Sequence, residues 1–221
     1  MSQTRDVHPL KSRVGDFIAG LKVLEREPIT TTRVSEFVVQ MQPSPDALAP
    51  YLFWSCERYT RNLLYRDHLF EVLVLCWLPG QRTPIHSHNG QLGWLTVVQG
   101  ELVCRDYRFL RPWATAQMLL PYEERAGRSV KVELQNSATY EANGSVSVVD
   151  RQRTTHQIEN LEKSPHGSVS LHLYSKPIDS CVVFDETTRC CERRQLQYYS
   201  ANGVILGSTF QRDEQFTHTA A

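Results

Sequence analysis

GQRTPIHSHNGQLGW, from Gly80 to Trp94, follows closely on an apolar run, FEVLVLCW, from Phe70 to Trp77. Alternate side chains of an extended strand point to the same face. His86 and His88 therefore aim two imidazoles at one point, which is what a bidentate grip on a divalent metal requires. Two solvated histidines on a polar loop are the alternative reading of the pair taken alone.

On either side of this stretch the chain reads as short strands. NLLYRDHLFEVLVLCW is rich in β-formers and holds a turn signal at Arg66-Asp67, and WLTVVQGELVCRDYRF gives two strands around a turn at Gln99-Gly100. SVKVEL (Ser129 to Leu134), SVSVVD (Ser145 to Asp150), THQIEN (Thr155 to Asn160) and SVSLHLYS (Ser168 to Ser175) are further strands. Ala126-Gly127, Asn143-Gly144 and Pro165-His166-Gly167 are the turn signals between them. Many short strands at close spacing predict an all-β sandwich or barrel. Upstream, Phe17, Ile18, Leu21 and Leu24 share one helical face, as do Val34, Phe37, Val38 and Met41. Pro43-Ser44-Pro45 breaks the run, and Ser44 or Asp46 caps a third short helix. The expected organisation is a helical extension over residues 1–58 packed on the barrel, a barrel over 59–200, and a C-terminal tail over 201–221.

Composition narrows the function. The 221 residues carry 24 Lys plus Arg against 24 Asp plus Glu, for a formal net charge of +0, with no polybasic tract. Nothing here points to nucleic acid or an anionic membrane as partner. No apolar leader or bilayer-length stretch is present, so the expected location is cytoplasmic, and the expected state is a monomer. Six cysteines without any C-x-x-C spacing read as reduced thiols and not as a zinc site.

The histidine pair sits in a glycine frame. Gly80 lies six residues before His86, Gly93 five after His88, and Gly100 seven after Gly93. This resembles the first motif of the cupin superfamily, G-x5-H-x-H-x(3,4)-E-x6-G, with Gly93 in place of the acidic residue. The second cupin motif ends H-x3-N, which His156-Gln-Ile-Glu-Asn160 matches, although Arg151-Gln152-Arg153 replaces its usual Pro-x-Gly. The resemblance implies an all-β cupin jelly-roll barrel with a metal held by His86, His88 and His156 and no acidic ligand. Imidazoles alone suit Fe, Zn, Cu or Ni.

SVSLHLYS sharpens the resemblance. Alternation puts Ser170, His172 and Tyr174 on one strand face and Val169, Leu171 and Leu173 on the other. A hydroxyl, an imidazole and a phenol in a row can form a hydrogen-bonded relay. Together YTRN (59–62), LCW (75–77), HSH (86–88), HQIEN (156–160) and SLHLYS (170–175) resemble, in order and spacing, the cysteine dioxygenase family of thiol dioxygenases. That resemblance implies a mononuclear Fe(II) and oxidation of L-cysteine with O2 to cysteine sulfinic acid. It implies His86, His88 and His156 as iron ligands and Tyr174, His172 and Ser170 as the catalytic triad beside them. It implies Arg61 as the clamp on the substrate carboxylate, with Tyr59, Leu75 and Trp77 on the pocket wall.

Two departures stand out. Mammalian-type members carry at position 93 a cysteine that cross-links to the triad tyrosine; with Gly93 no such link forms, and Tyr174 is a free phenol. The family's Ser-Pro after the triad strand is Ser175-Lys176-Pro177 here. Relatives acting on 3-mercaptopropionate also differ around this loop, yet carry Gln where this chain has Arg61. Another small thiol, such as 3-mercaptopropionate, thus remains an alternative substrate. A non-catalytic metal-binding cupin sensor is the alternative of a different class, and a zinc hydrolase lacks an evident carboxylate base.

Overall fold

The run FEVLVLCW shows no polar alternation because both of its faces are covered. The computed structural model, which describes residues 13–26, 28–109, 131–142, 144–149, 155–187 and 189–207, places it as the fully buried strand β2 (Phe70–Trp77). Phe70, Val72, Val74 and Cys76 pack in one apolar cluster with Phe17, Leu21, Val34 and Val38 of the N-terminal helices. Leu73, Leu75 and Trp77 belong to a second cluster, with Leu95, Val97, Leu102 and Ile158. The first cluster lies under the helices and the second inside the barrel.

The helices begin where the caps allow. In α1 (Val14–Leu24) Phe17 and Leu21 are buried. In α2 (Thr31–Met41) the Thr30 hydroxyl accepts the Arg33 N–H at 3.3 Å. In α3 (Pro45–Leu48) Ser44 accepts the Ala47 N–H at 3.2 Å, with Pro45 in the first turn, where a missing N–H is harmless. The indole of Trp94 reaches Thr31 O at 3.1 Å and ties α2 to the sheet.

The remaining strands are β1 (Thr60–Arg66), β3 (Ile85–Ser87), β4 (Leu92–Gln99), β5 (Glu101–Phe109), β6 (Val132–Glu141), β7 (Val146–Val149), β8 (Thr155–Glu159), β9 (Ser168–Ser175), β10 (Ser180–Asp185), β11 (Cys190–Gln195), β12 (Ser200–Ala201) and β13 (Val204–Ile205). They form a seven-stranded sheet, β13-β12-β1-β2-β9-β4-β7, and a six-stranded sheet, β11-β10-β3-β8-β5-β6. This is the all-β cupin jelly roll with helices on one outer face. No helix among the described residues is long and apolar enough to cross a membrane.

Three differences from the sequence reading concern this architecture. β4 and β5 do not pair with each other; the turn at Gly100 carries the chain from one sheet to the other. β6 runs on through Glu141 although Gln135 to Ala138 are poor β-formers, because it pairs with β5 along its length, skipping only Gln135 at a register shift. β10, β11 and the β12–β13 pair are added elements, and β12 runs parallel to β1 with Ser200 opposite Asn62. The turn at Ala126-Gly127 and the stretch Arg151–Arg153 lie outside the described residues, as do parts of the strand expected from Ser129 and of the C-terminal tail.

Gly100 is needed at its crossing. It has φ +73, and a Cβ there would stand 2.5 Å from Ser168 Oγ and 3.1 Å from Ser168 Cα. That hydroxyl also clips Glu101, donating to its C=O at 2.8 Å. Gly90 has φ +78 and open space around it. Gly100→Ala is therefore expected to destabilise by about 3 kcal/mol and Gly90→Ala by about 1 kcal/mol, the difference being the clash. Chemical-denaturation midpoints of the two variants check this.

Candidate active site

His86 on β3 and His156 on β8 face each other in register, which sends both rings to the same side of the sheet. His88 follows one residue after β3 ends and joins them. The ring centroids stand 4.7–5.0 Å apart, and the three candidate ligand nitrogens lie within 4.8 Å of one another. Among the described residues this is the only such group, and no carboxylate belongs to it. His86 Nδ1 donates to Pro84 O at 3.0 Å, which leaves Nε2 for a ligand role. His156 Nε2 is buried with no hydrogen-bond partner. A buried polar nitrogen left this way is costly, and a metal bond would satisfy it. Burial holds His86 down at about 4 and His156 well below the ordinary imidazole range. Both are neutral at pH 7, the form that binds metal.

Beside the histidines runs the row on β9. Ser170, His172 and Tyr174 face the barrel interior, and Val169, Leu171 and Leu173 pack under the helices. The Trp77 indole N–H donates to Ser170 Oγ at 2.9 Å. Ser170 Oγ lies 2.8 Å from His172 Nε2, and His172 Nδ1 lies 3.2 Å from Tyr174 Oη. Indole is a donor only, so Ser170 must accept from it. Among the described residues the serine hydrogen then has one acceptor, His172 Nε2. That fixes the tautomer: His172 Nδ1–H donates to Tyr174 Oη, and the Tyr174 hydrogen is left for the cavity. Burial, and next the charge of Arg61, hold His172 down at about 3, so the ring stays neutral.

Gly93 stands directly opposite Tyr174 on β4. A Cβ there would lie 3.1 Å from both Tyr174 Cδ1 and Cε1. The phenol ring thus occupies the space that an acidic side chain at position 93 would need, and with no side chain at that position nothing is linked to the ring.

These groups open on a cavity of about 610 Å³, lined by His86, His88, His172, Tyr174, Arg61, Tyr59 and Leu75 among others. His156 completes the histidine group from β8 without lining the cavity. Trp77 was expected on the wall but is fully buried behind it, stacked on Tyr59 at 4.5 Å. It acts on the cavity through Tyr59 and Ser170. Arg61, on β1 opposite Leu75, carries a buried Nη1 with no hydrogen-bond partner. Its Nη2 lies 3.8 Å from a Glu71 carboxylate oxygen, and its Cζ stands 5.5 Å from the Tyr198 ring centre. Lys176 has φ +72, and its N–H donates to Leu69 O at 2.5 Å. A proline at this position could supply neither.

The sequence reading missed Glu71, Ile178, Cys181 and Tyr198. Glu71 had a signal, being the one charge inside an eight-residue apolar run. The other three lie on the segments after β9 that the reading did not resolve into structure.

A family model describing cysteine dioxygenase type I matches residues 1–187. Cysteine dioxygenase type 1 of Homo sapiens is 27% identical over 206 residues, covering 92% of this chain and 94% of that protein. The protein of the same name from Danio rerio is 28% identical over 205 residues, covering 92% and 93%. Among solved structures, a Klebsiella pneumoniae protein with a double-stranded β-helix domain is similar at a TM-score of 0.37 and 16% identity, over 58% of this chain and 81% of that one.

Proposed function

The chain belongs to the cysteine dioxygenase type I family, and from that premise we propose that it oxidises L-cysteine with O2 to cysteine sulfinic acid at an Fe(II) held by His86, His88 and His156. Membership makes it an enzyme of the non-haem iron dioxygenase type acting on a small thiol, which sets aside the non-catalytic alternative. The reaction balances without any further reductant. Both atoms of O2 end on sulfur, and sulfur gives up the four electrons that O2 takes.

The observation that carries the substrate assignment is the unpartnered Nη1 of Arg61 in the cavity wall. A guanidinium N–H with no acceptor, in a cavity that also exposes two of the three histidines, calls for a carboxylate. Arg61 holds that carboxylate with paired N–H donors and so sets the distance from it to the thiol. Iron, when bound, supplies the redox chemistry that brings O2 to sulfur, and the three neutral imidazoles fit it by number and donor type. Tyr174 donates its hydroxyl hydrogen into the cavity, and His172 and Ser170 keep that hydroxyl oriented. Tyr59 and Leu75 exclude water from one side.

The test is a panel of thiols with Fe(II) and O2, and the sulfinate identified by mass. Arg61→Ala is expected to raise the KM for cysteine about 30-fold, the value of a hydrogen-bonded charge, and to leave cysteamine, which has no carboxylate, nearly unchanged. An equal loss on both thiols would remove Arg61 from carboxylate binding. 3-Mercaptopropionate is the second reading, because it presents the same thiol and carboxylate and Lys176 reshapes the loop after β9. Oxygen uptake with each substrate separates the two.

A further inference from the structure

Glu71 is a carboxylate with no accessible surface, buried as the second residue of an otherwise apolar strand. Isolated burial of a charge is strongly unfavourable, so its partners define its purpose. Among the described residues it has four, drawn from three separate segments. The Tyr198 hydroxyl donates to it, and the Ile178 N–H reaches it at 3.4 Å. Arg66 Nη1 stands at 3.6 Å and Arg61 Nη2 at 3.8 Å. Glu71 does not line the cavity, but Arg61, Ile178 and Tyr198 all do. They come from β1, from the loop after β9 and from the segment leading into β12. Backbone bonds lay that last segment along β1: Tyr199 N–H to Arg61 O at 2.8 Å, and Asn202 N–H to Leu63 O at 2.9 Å. The Tyr198 ring is thereby set against Arg61, and its hydroxyl, which also accepts from Arg66 at 2.6 Å, is fixed on Glu71.

We propose that Glu71 is the positioning residue of the carboxylate-binding wall, anchoring Arg61 and Tyr198 so that Arg61 Nη1 faces the cavity. This rests on the cysteine-oxidising reading above. A guanidinium binds a carboxylate well only in a fixed plane. Among the described residues Arg61 has no other anion at ion-pair distance. Asp179, held by Arg66 at 2.7 Å, is near enough to feel its charge and is the competing attractor once Glu71 is neutral. Glu71 also opposes the positive charge that draws the substrate, so its removal has two contrary effects, one on charge and one on geometry. The pairing of Glu71 with Tyr198, Ile178 and both arginines makes geometry the larger of the two.

The experiment is anaerobic calorimetric binding of cysteine and cysteamine to the Fe(II)-loaded protein, in wild type, Glu71→Gln, Arg61→Ala and the double variant. Glutamine keeps the volume and an acceptor oxygen for Tyr198, and removes the charge. The cysteine Kd is expected to rise about 10-fold in Glu71→Gln, with cysteamine unchanged and no further rise when Glu71→Gln is added to Arg61→Ala. Tyr198→Phe, which keeps the ring and removes the hydroxyl, is expected to raise the cysteine Kd about 3-fold with the same selectivity, and gives the answer should Glu71→Gln fail to fold. An equal effect on both thiols, an effect that survives in the Arg61→Ala background, no effect, or tighter cysteine binding would each overturn the positioning role. Wild-type protein that makes sulfinate but binds both thiols equally would remove the clamp and the role of Glu71 with it. Absence of sulfinate from wild type would fault the cysteine reading itself.

Discussion

His156→Ala is expected to leave the protein folded and without iron. On the proposed function three imidazoles are the whole candidate ligand set, since no carboxylate joins the group among the described residues. Gly93 denies the site the acidic residue that the cupin motif would place there, and the Tyr174 ring fills that space. Losing one of three neutral ligands should weaken metal binding by more than about 100-fold, because even outer partners of metal ligands are worth 10–100-fold. Activity should fall below detection for lack of metal. Loss of fold is not the expected cause. His156 Nε2 is a buried nitrogen with no partner, and removing such an atom relieves about 1–3 kcal/mol of desolvation, close to what the vacated volume costs. Metal-free wild type and the variant should therefore unfold at nearly the same denaturant concentration. Wild type alone should gain stability on adding Fe(II), because ligand binding to the native state stabilises it by mass action. Iron content by mass spectrometry after dialysis decides the matter; full occupancy in His156→Ala would exclude it as a ligand.

The sequence made one half of the cavity legible and left the other half hidden, for a physical reason. The β9 row and Arg61 sit on strands whose side chains alternate between an apolar helix-covered face and the barrel interior, and period-two patterning reads directly; the histidines were legible from their spacing, His86 and His156 meeting in register on the other sheet. Leu171 and Leu173 needed a core, and the N-terminal helices supply it. The opposite wall is built by β10, β11 and the segment leading into β12. CCERRQ of β11 alternates weakly, with only Cys191 buried and Arg193 and Gln195 exposed, and lies at a sheet edge. Its strand character comes from pairing with β10. Ser200 meets Asn62 across 138 residues of sequence, in a parallel pair that no local pattern encodes. Trp77 shows the same limit from the other side. Its strand and its neighbours were readable, but which layer it occupies depends on how closely Tyr59 covers it. The Gln99-Gly100 turn was likewise visible, while its crossing between sheets was not, because turn chemistry specifies a reversal and not the partner of each strand.

Tyr174→Phe is expected to keep the iron, keep most of the cysteine affinity, and lower kcat about 100-fold, the usual loss when one preorganised donor is removed from a reacting centre. The ring is retained by its packing against Gly93 and its stacking on His88 at a centroid distance of 5.6 Å, so the change is confined to one hydroxyl. The direction of the hydrogen-bond row explains why that hydroxyl matters. From Trp77 through Ser170 and His172, each donor is used on the next acceptor, and the chain ends with the Tyr174 hydrogen free to point into the cavity. Burial raises the phenol above its ordinary value of 10.0, so it remains a donor across the neutral and mildly alkaline range. Phenylalanine removes that donor and also strands His172 Nδ1–H, at a stability cost of about 1–2 kcal/mol. A donor that steers oxygen to sulfur affects yield as well as rate, so the variant should consume more O2 per sulfinate formed. Reading the role from rate alone would confuse a slow step with a misdirected one. Oxygen uptake and sulfinate must therefore be measured together, with iron content as the control. Unchanged turnover at the wild-type ratio would mean that the row serves only to hold β9 in place. A fall in kcat and in sulfinate yield at constant iron would assign the hydroxyl to the chemistry and Ser170 and His172 to its orientation.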